Sequence, residues 1–273
     1  MAITINNIIN KAHKSLSIQV SLNGLSFCIK DFQNNSILSL ENIDFKDYPS
    51  SYSIDDCLNQ AFLTHLDLMN EFENVDILFQ NNLNSFVPLE LFNTDNIGSY
   101  LQYNTKVFNS DVFLYDELET NNMVNVYVPI TALEPFFKER YSNYNTKHCS
   151  TILVSKLLDF SKNNLRKEMY VQVSRNHFEI VVVQNQKLLL YNTFEYKSAE
   201  DFIYYILFTA EQLKLDPNEF NLYLLGTINK DSELYKKTYT YIRNVSIFND
   251  SLTNLNLDLD QDIIRKNFIL IHS

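Results

Sequence analysis

The sequence predicts an α/β protein built from two copies of one β-β-β-α-β unit. Three observations predict it: a short segment that recurs half a chain later, the same order of elements after each occurrence, and matched helix caps inside them. Ile18-Gln-Val-Ser-Leu-Asn23 lies over Val171-Gln-Val-Ser-Arg-Asn176 at a constant offset of 171 − 18 = 153 residues, with Gln, Val, Ser and Asn in register. Self-similarity at a fixed spacing marks a repeated structural unit, and the following elements decide whether the match is chance.

In the first copy Leu16, Ile18, Val20 and Leu22 alternate with polar residues, Asn23-Gly24 reverses the chain, and Leu25, Phe27 and Ile29 alternate again. Asn-Gly between period-2 runs predicts a hairpin with a type I′ turn, because both central residues need positive φ. In the second copy Met169, Val171 and Val173 lead to Asn176-His177, and Phe178, Ile180 and Val182 follow. A third strand is expected over Ser36–Leu40 and over Lys187–Tyr191, entered through Asn34-Asn35 and Asn185-Gln186.

A helix follows each meander, opened by Ser53-Ile-Asp-Asp56 in one copy and Ser198-Ala-Glu-Asp201 in the other. In such a box the hydroxyl accepts from the third helical N–H, and the acids favour the positive end of the helix dipole. Leu58, Ala61, Phe62, Leu66 and Met69 mark the buried stripe of the first helix; Phe202, Tyr205, Ile206, Thr209, Ala210 and Leu213 mark that of the second. Val75–Phe79 and Leu222–Leu225 close the units, and a strand-helix-strand crossover of this length is parallel and right-handed.

After these strands the copies diverge. Leu89–Tyr103 reads as helical, Asp111–Leu118 and Met123–Val128 as strands paired across Thr120-Asn121-Asn122, and Ile130–Arg140, Thr151–Ser161 and Asp231–Ile242 as helices. Leu234, Thr238 and Tyr241 line one side of the last. The units divide into a subdomain over residues 1–149 and a second over 150–273 that includes the linking helix.

The chain has 273 residues, 45% of them hydrophobic and 20% charged, enough for two cores of ordinary size. Lys+Arg number 22 against Asp+Glu 33, a net charge of −11 that repels a phosphate backbone, so nucleic acid is a disfavoured partner and no basic cluster is visible along the chain. The N-terminal MAITINNIINKAHKS lacks the apolar stretch of an export signal, and no run approaches a membrane span. A cytoplasmic protein is expected. Cys28, Cys57 and Cys149 are widely spaced and odd in number, which fits reduced packing residues rather than a disulfide framework.

A duplicated β-β-β-α-β unit is the plan of the ribonuclease-H-like and actin-like ATPase folds. LSIQVSLNGLSFCI, YNTFEYKSAEDFIYYILFTAEQL and LYLLGTINKDSELY resemble a bacterial family of unknown function with an actin-like ATPase fold, and the resemblance spans most of the chain. It implies the fold and no established activity. Active members of the wider fold carry an Asp at the end of the first strand of each half, to hold Mg²⁺ and its water, with Gly-rich turns around the phosphates. At those positions this sequence has Ser21 and Ser174, followed by Leu22 and Arg175. Gly24 is displaced from the phosphate-loop spacing, and a Gly pair that faces the adenosine in active members is reduced to Leu225-Gly226-Thr227. With 3 Gly in all, the chain has no second glycine cradle.

The missing acids and glycines lead to the expectation of a non-catalytic, actin-like interaction module without a cofactor or metal, with protein partners, by analogy with some actin-like secretion and pilus proteins. Ser21, Asn23, Ser174, Asn176 and Gly226 are the candidates for what remains of the cleft. Hydroxyls can still bind phosphate, so a nucleotide-binding protein with a residual ATP site is the rival reading, and a structural homodimer the third. The plain reading of Ser21 and Ser174 is two polar strand ends kept by duplication, and of Arg175 a surface arginine.

Other motifs are weaker. His148-Cys149 suggests a thiol nucleophile, but neighbours on a strand face opposite ways and no oxyanion motif accompanies them. His13, His65 and His177 have no partners at zinc-ligand spacing. Asp258-Leu-Asp260-Gln-Asp262 opens like a calcium loop but lacks the sixth-position Gly and has Ile269 where Glu is required, so Leu255, Leu257 and Leu259 read as a half-exposed strand. Tyr100, Tyr103, Tyr141, Tyr144, Tyr239 and Tyr241 belong to core or interface.

Overall fold

The computed structural model describes residues 13–103, 105–108, 110–249 and 260–273. Two five-stranded mixed sheets carry the repeat. In the first, β1 (Lys14–Ser21), β2 (Gly24–Asp31) and β3 (Ser36–Asp44) form the antiparallel meander, and β4 (Asn74–Phe79) returns parallel to β1 after α1 (Ile54–Thr64). In the second, β9 (Glu168–Val173), β10 (His177–Gln184), β11 (Lys187–Glu195) and β12 (Asn221–Gly226) repeat that order around α4 (Ala199–Gln212).

Each sheet gains a fifth strand that the periodicity did not reveal. β8 (Asn145–His148) lies parallel to β4, and β13 (Asn244–Ile247) parallel to β12, giving the orders β3-β2-β1-β4-β8 and β11-β10-β9-β12-β13. Four residues are too few to show a period against their flanks.

Between β4 and β8 a small sheet of β5 (Asn84–Pro88), β7 (Met123–Tyr127) and β6 (Leu114–Leu118) is inserted. The predicted 111–118 and 123–128 pair is there as β6 and β7. The helix expected over 89–103 is instead two 3-10 turns, Leu89–Leu91 and Thr94–Tyr100. α2 (Glu134–Arg140) follows a 3-10 turn at Thr131–Leu133, and α3 (Cys149–Phe160) links the halves. The last helices are α5 (Glu233–Tyr241), α6 (Gln261–Lys266) and α7 (Phe268–His272). Residues 255, 257 and 259, expected as a strand, lie outside the described residues, and Asp260 caps α6 through Asp262 N at 2.8 Å.

Alternation along the strands puts a different core on each face of each sheet. Leu16, Ile18 and Val20 join Leu58 and Phe62 of α1 and Phe136 and Phe137 of α2 on the outer face of the first sheet. Met169, Val171 and Val173 join Phe202 and Ile206 of α4 on the outer face of the second. The inner faces share one core, in which Cys28 and Leu78 from one sheet and Tyr170 and Val181 from the other enclose Leu153 and Leu157 of α3 and Phe268 of α7. At ~2 kcal/mol for each fully buried large apolar side chain, this shared core binds the halves together.

Both capping boxes form, with Asp56 N to Ser53 Oγ at 3.2 Å and Asp201 N to Ser198 Oγ at 3.1 Å. The stripe of α1 ends earlier than expected: the helix stops at Thr64, Leu66 and Met69 are exposed on the 3-10 turn after it, and Leu68 is buried in their place. Of the α4 stripe, Phe202, Ile206, Thr209 and Ala210 are buried.

The hairpin turns differ from expectation by one residue. Ser21 pairs with Gly24, which makes Leu22 and Asn23 the turn, and in the second unit Arg175 and Asn176 lie between Ser174 and His177. None of these residues has positive φ, so neither turn is type I′; Asn185 (φ 46°) and Gln186 (φ 61°), between β10 and β11, are the pair that both lie there. Gly24 is needed for a different reason: a Cβ on it would stand 2.5 Å from Ile43 O of the neighbouring strand.

Candidate functional site: the interlobe cleft

Duplication brings the two equivalent hairpins face to face. Ser21, Asn23, Ser174 and Asn176 line one cleft of about 700 Å³ between the halves, together with Gln80 and Asn81, which follow β4. Gly226 is not among its lining residues. Each hairpin is tied back in the same way: Asn23 O accepts from Phe45 N at 3.0 Å and Asn176 O from Tyr196 N at 3.2 Å, each donor just past the third strand. Val20 O and Val173 O likewise accept from Gln80 N (2.9 Å) and Thr227 N (2.8 Å).

The polar groups of the cleft are largely satisfied by one another. Ser21 Oγ donates to Gly24 O at 3.3 Å and accepts from Asn23 N at 3.2 Å, closing its own turn. Gln19 Nε2 donates to Gln80 Oε1 at 2.9 Å, and Ser26 Oγ to Asn42 Oδ1 at 2.8 Å. Arg175 Nη1 meets Asp44 Oδ2 at 3.0 Å, an ion pair that joins the second half to the first. Gly226 has φ 79°, and a Cβ there would stand 2.2 Å from Val173 O, so its glycine serves strand packing at the end of β12.

Behind the cleft lies a buried polar network that the sequence reading missed. Asp116 Oδ2 accepts from Thr151 Oγ1 (2.5 Å) and His148 N (2.8 Å); Thr151 Oγ1 accepts from Asn125 Nδ2 (2.9 Å), and Asn125 Oδ1 from Asn84 Nδ2 (3.0 Å). Tyr191 OH reaches Asn84 Oδ1 (3.3 Å) and Glu179 Oε1 (2.8 Å), and Ser150 Oγ also donates to Glu179 Oε1 (2.8 Å). The chain of bonds thus runs from the first half into the second through the start of α3. Glu179 stands between Phe178 and Ile180 in β10 and is buried.

His148 and Cys149 are not strand neighbours: His148 ends β8 and Cys149 begins α3. Both are buried, and burial pushes the His148 imidazole down to about 3 and the Cys149 thiol well up. Ser150 N donates to His148 Nδ1 at 3.2 Å, which places the ring proton on Nε2, facing Asn81 Oδ1 at 3.3 Å. Asn81 also lines the cleft, so the network ends at its wall. Desolvation raises the Asp116 carboxyl against its three hydrogen bonds. A thiol held neutral inside the protein is no nucleophile.

Cys28, Cys57 and Cys149 are free and buried. Among the described residues no three His, Cys, Asp or Glu side chains group so as to hold a metal ion, and no helix is long and apolar enough to cross a membrane. Of the tyrosines left open by the sequence, Tyr141 is core, with its hydroxyl on Leu68 O at 2.8 Å, whereas Tyr103, Tyr239 and Tyr241 are exposed.

Two equivalent mixed sheets, packed through shared helices and opening on one cleft at their matching hairpins, define a protein of the actin-like ATPase fold. The chain belongs to the DUF3822 family, described as a protein of unknown function, whose model matches residues 4–245. It is similar to a Bacteroides thetaiotaomicron VPI-5482 protein with actin-like ATPase fold and unknown function, at 26% identity and TM-score 0.79 over 90% of this chain and 94% of that one. It is also similar in fold to a chain of the PilM-PilN type IV pilus biogenesis complex, at 13% identity and TM-score 0.62 over 94% and 96% of the two chains. No curated protein matches the sequence.

Proposed function

We propose that this protein is a non-catalytic scaffold that keeps the two-lobed actin-like form and uses its surface to hold protein partners. The observation that carries the reading is the chemistry at the two strand ends. A phosphoryl-transfer site needs a carboxylate there to hold Mg²⁺, and free N–H groups turned toward the phosphates. Ser21 and Ser174 take those places, Ser21 spends its hydroxyl on its own turn, and Arg175, a cation of the cleft, is paired with Asp44. The PilM-PilN complex is a precedent for this fold engaging another protein, which supports the reading by analogy of fold.

A thermal-shift titration with ATP and ADP, with and without Mg²⁺, tests it. A ligand at ~100 times its dissociation constant adds ~2.7 kcal/mol to the native state, which is visible as a higher melting temperature. No shift at millimolar nucleotide is expected. A shift that disappears in Ser21→Ala or Arg175→Ala variants would instead make the cleft a nucleotide site.

A further inference from the structure

A second concavity of about 720 Å³ lies at the opposite end of the second sheet, away from the cleft. It forms where the parallel strands begin. Asn221 of β12 stands in register with Glu168 of β9 on one side and Asn244 of β13 on the other. The residues just before these three, Lys167, Phe220 and Arg243, therefore continue the same row, with the backbones of Lys167 and Arg243 two strand spacings, about 10 Å, apart and the buried Phe220 between them. Arg166 precedes Lys167, and Lys214 enters from the end of α4.

The charge here is contrary to that of the chain. Four basic residues from three separate segments line this hollow in a protein of net charge −11, against two acids, Asp216 and Glu219. Asp216 is used locally, accepting from Asn218 N at 2.9 Å and Asn218 Nδ2 at 3.0 Å. Lys167 Nζ donates to Leu213 O at 3.1 Å. The side chains of Arg166, Lys214 and Arg243 make no hydrogen bond or ion pair among the described residues, and all three are exposed. Lys214 moreover has φ 55° at a Schellman cap, where Leu215 N donates to Ala210 O at 2.8 Å and Lys214 N to Glu211 O at 3.0 Å, a position that glycine ordinarily fills.

We infer that this hollow is a docking site for an acidic, partly apolar peptide segment of a partner protein. Unpaired guanidinium groups match carboxylates through forked hydrogen bonds, and Leu215 and Phe220 give the floor an apolar component. A nucleic-acid backbone fits less well, since its unbroken row of phosphates would meet Glu219 and the field of a −11 chain, whereas a peptide can place its acids opposite the arginines alone. The site does not depend on the fate of the cleft, whose nucleotide titration is read separately.

The test is fluorescence anisotropy of the whole protein with three labelled probes: a peptide alternating Asp or Glu with Leu, the same peptide with Asn and Gln for the acids, and a short oligothymidylate. The acidic peptide is expected to bind, to weaken as salt rises, and to lose about tenfold or more in affinity in the Arg166→Ala, Arg243→Ala double variant. Arg175→Ala, in the cleft, should leave it unchanged. Both arginines are exposed, so the variants fold, and a circular-dichroism spectrum verifies that they have. Equal binding of the neutral peptide, preference for the oligothymidylate, an unaffected double variant, or no binding of the acidic peptide would each overturn the proposal.

Discussion

Arg175, in the hairpin turn of the second half, and Asp44, at the end of β3 in the first, meet at 3.0 Å across the cleft. Asp44 also accepts from Lys46 N at 3.0 Å, so its carboxylate is positioned before the arginine arrives. The pair is nevertheless open to solvent, with side-chain exposures of 66% and 42%. Exposed ion pairs of this kind contribute ~1 kcal/mol or less, because water and salt screen them. A double-mutant cycle on Arg175→Ala and Asp44→Ala, read by urea unfolding, should give a coupling below ~1 kcal/mol that shrinks with salt. The shared core around α3 and α7, rather than this contact, then holds the halves together; a coupling of several kcal/mol would contradict that assignment.

Gly226 and Gly98 make a contrasting pair. A Cβ at Gly226 would stand 2.2 Å from Val173 O, which is backbone already holding Thr227 N, and φ 79° adds strain for any other residue. At Gly98 the obstacle is the ring of Phe113 at 2.9 Å, a side chain able to move. Gly226→Ala should therefore cost roughly 3 kcal/mol and Gly98→Ala about 1 kcal/mol in chemical denaturation without nucleotide. Equal costs would show that the end of β12 yields more readily than its hydrogen bonds suggest.

His148 should give the protein part of its acid sensitivity. Burial holds its folded-state value near 3, against about 6.5 in an unfolded chain. Between those values the unfolded state binds the extra proton, so stability is present above ~6.5 and falls as pH falls. Asp116 acts in the other direction: its carboxyl is raised, so its penalty is relieved on acidification. Replacing His148 by Gln should flatten the decline in urea midpoint from pH ~6.5 to ~5, above the range in which ordinary carboxylates titrate. A proton titration of the imidazole by NMR gives a second reading, and a midpoint near the ordinary histidine value would refute the account.

The parts of the fold legible in the sequence were those set by local chemistry. Ser53 and Ser198 with their partner acids, the alternation of Leu16, Ile18 and Val20, and the repeated Gln-Val-Ser fixed both units, because caps and period-2 burial are decided within a few residues. Ser21, Asn23, Ser174 and Asn176 lie along one cleft, whereas Gly226 does not line it. The turns misled because Asn-Gly is also what remains when Gly24 is required against Ile43 O, a contact with a distant strand. The Asp116 network and the basic hollow were hidden for the same reason: their members lie on separate segments and only strand register unites them.

Lys214 ties stability to the hollow it lines. A lysine in the left-handed region costs roughly 1 kcal/mol that glycine avoids, and its backbone already makes the Schellman bonds that glycine would make. Lys214→Gly should therefore raise the unfolding free energy by a few tenths to about 1 kcal/mol, the gain being reduced by glycine's freer unfolded chain. The same change removes an unpaired cation and should weaken the acidic peptide severalfold. A variant that is more stable and binds less well would mean the lysine is retained for its charge. If instead it loses stability, the side chain packs against the end of α4 strongly enough to offset its strained backbone, and the residue is explained by the fold alone.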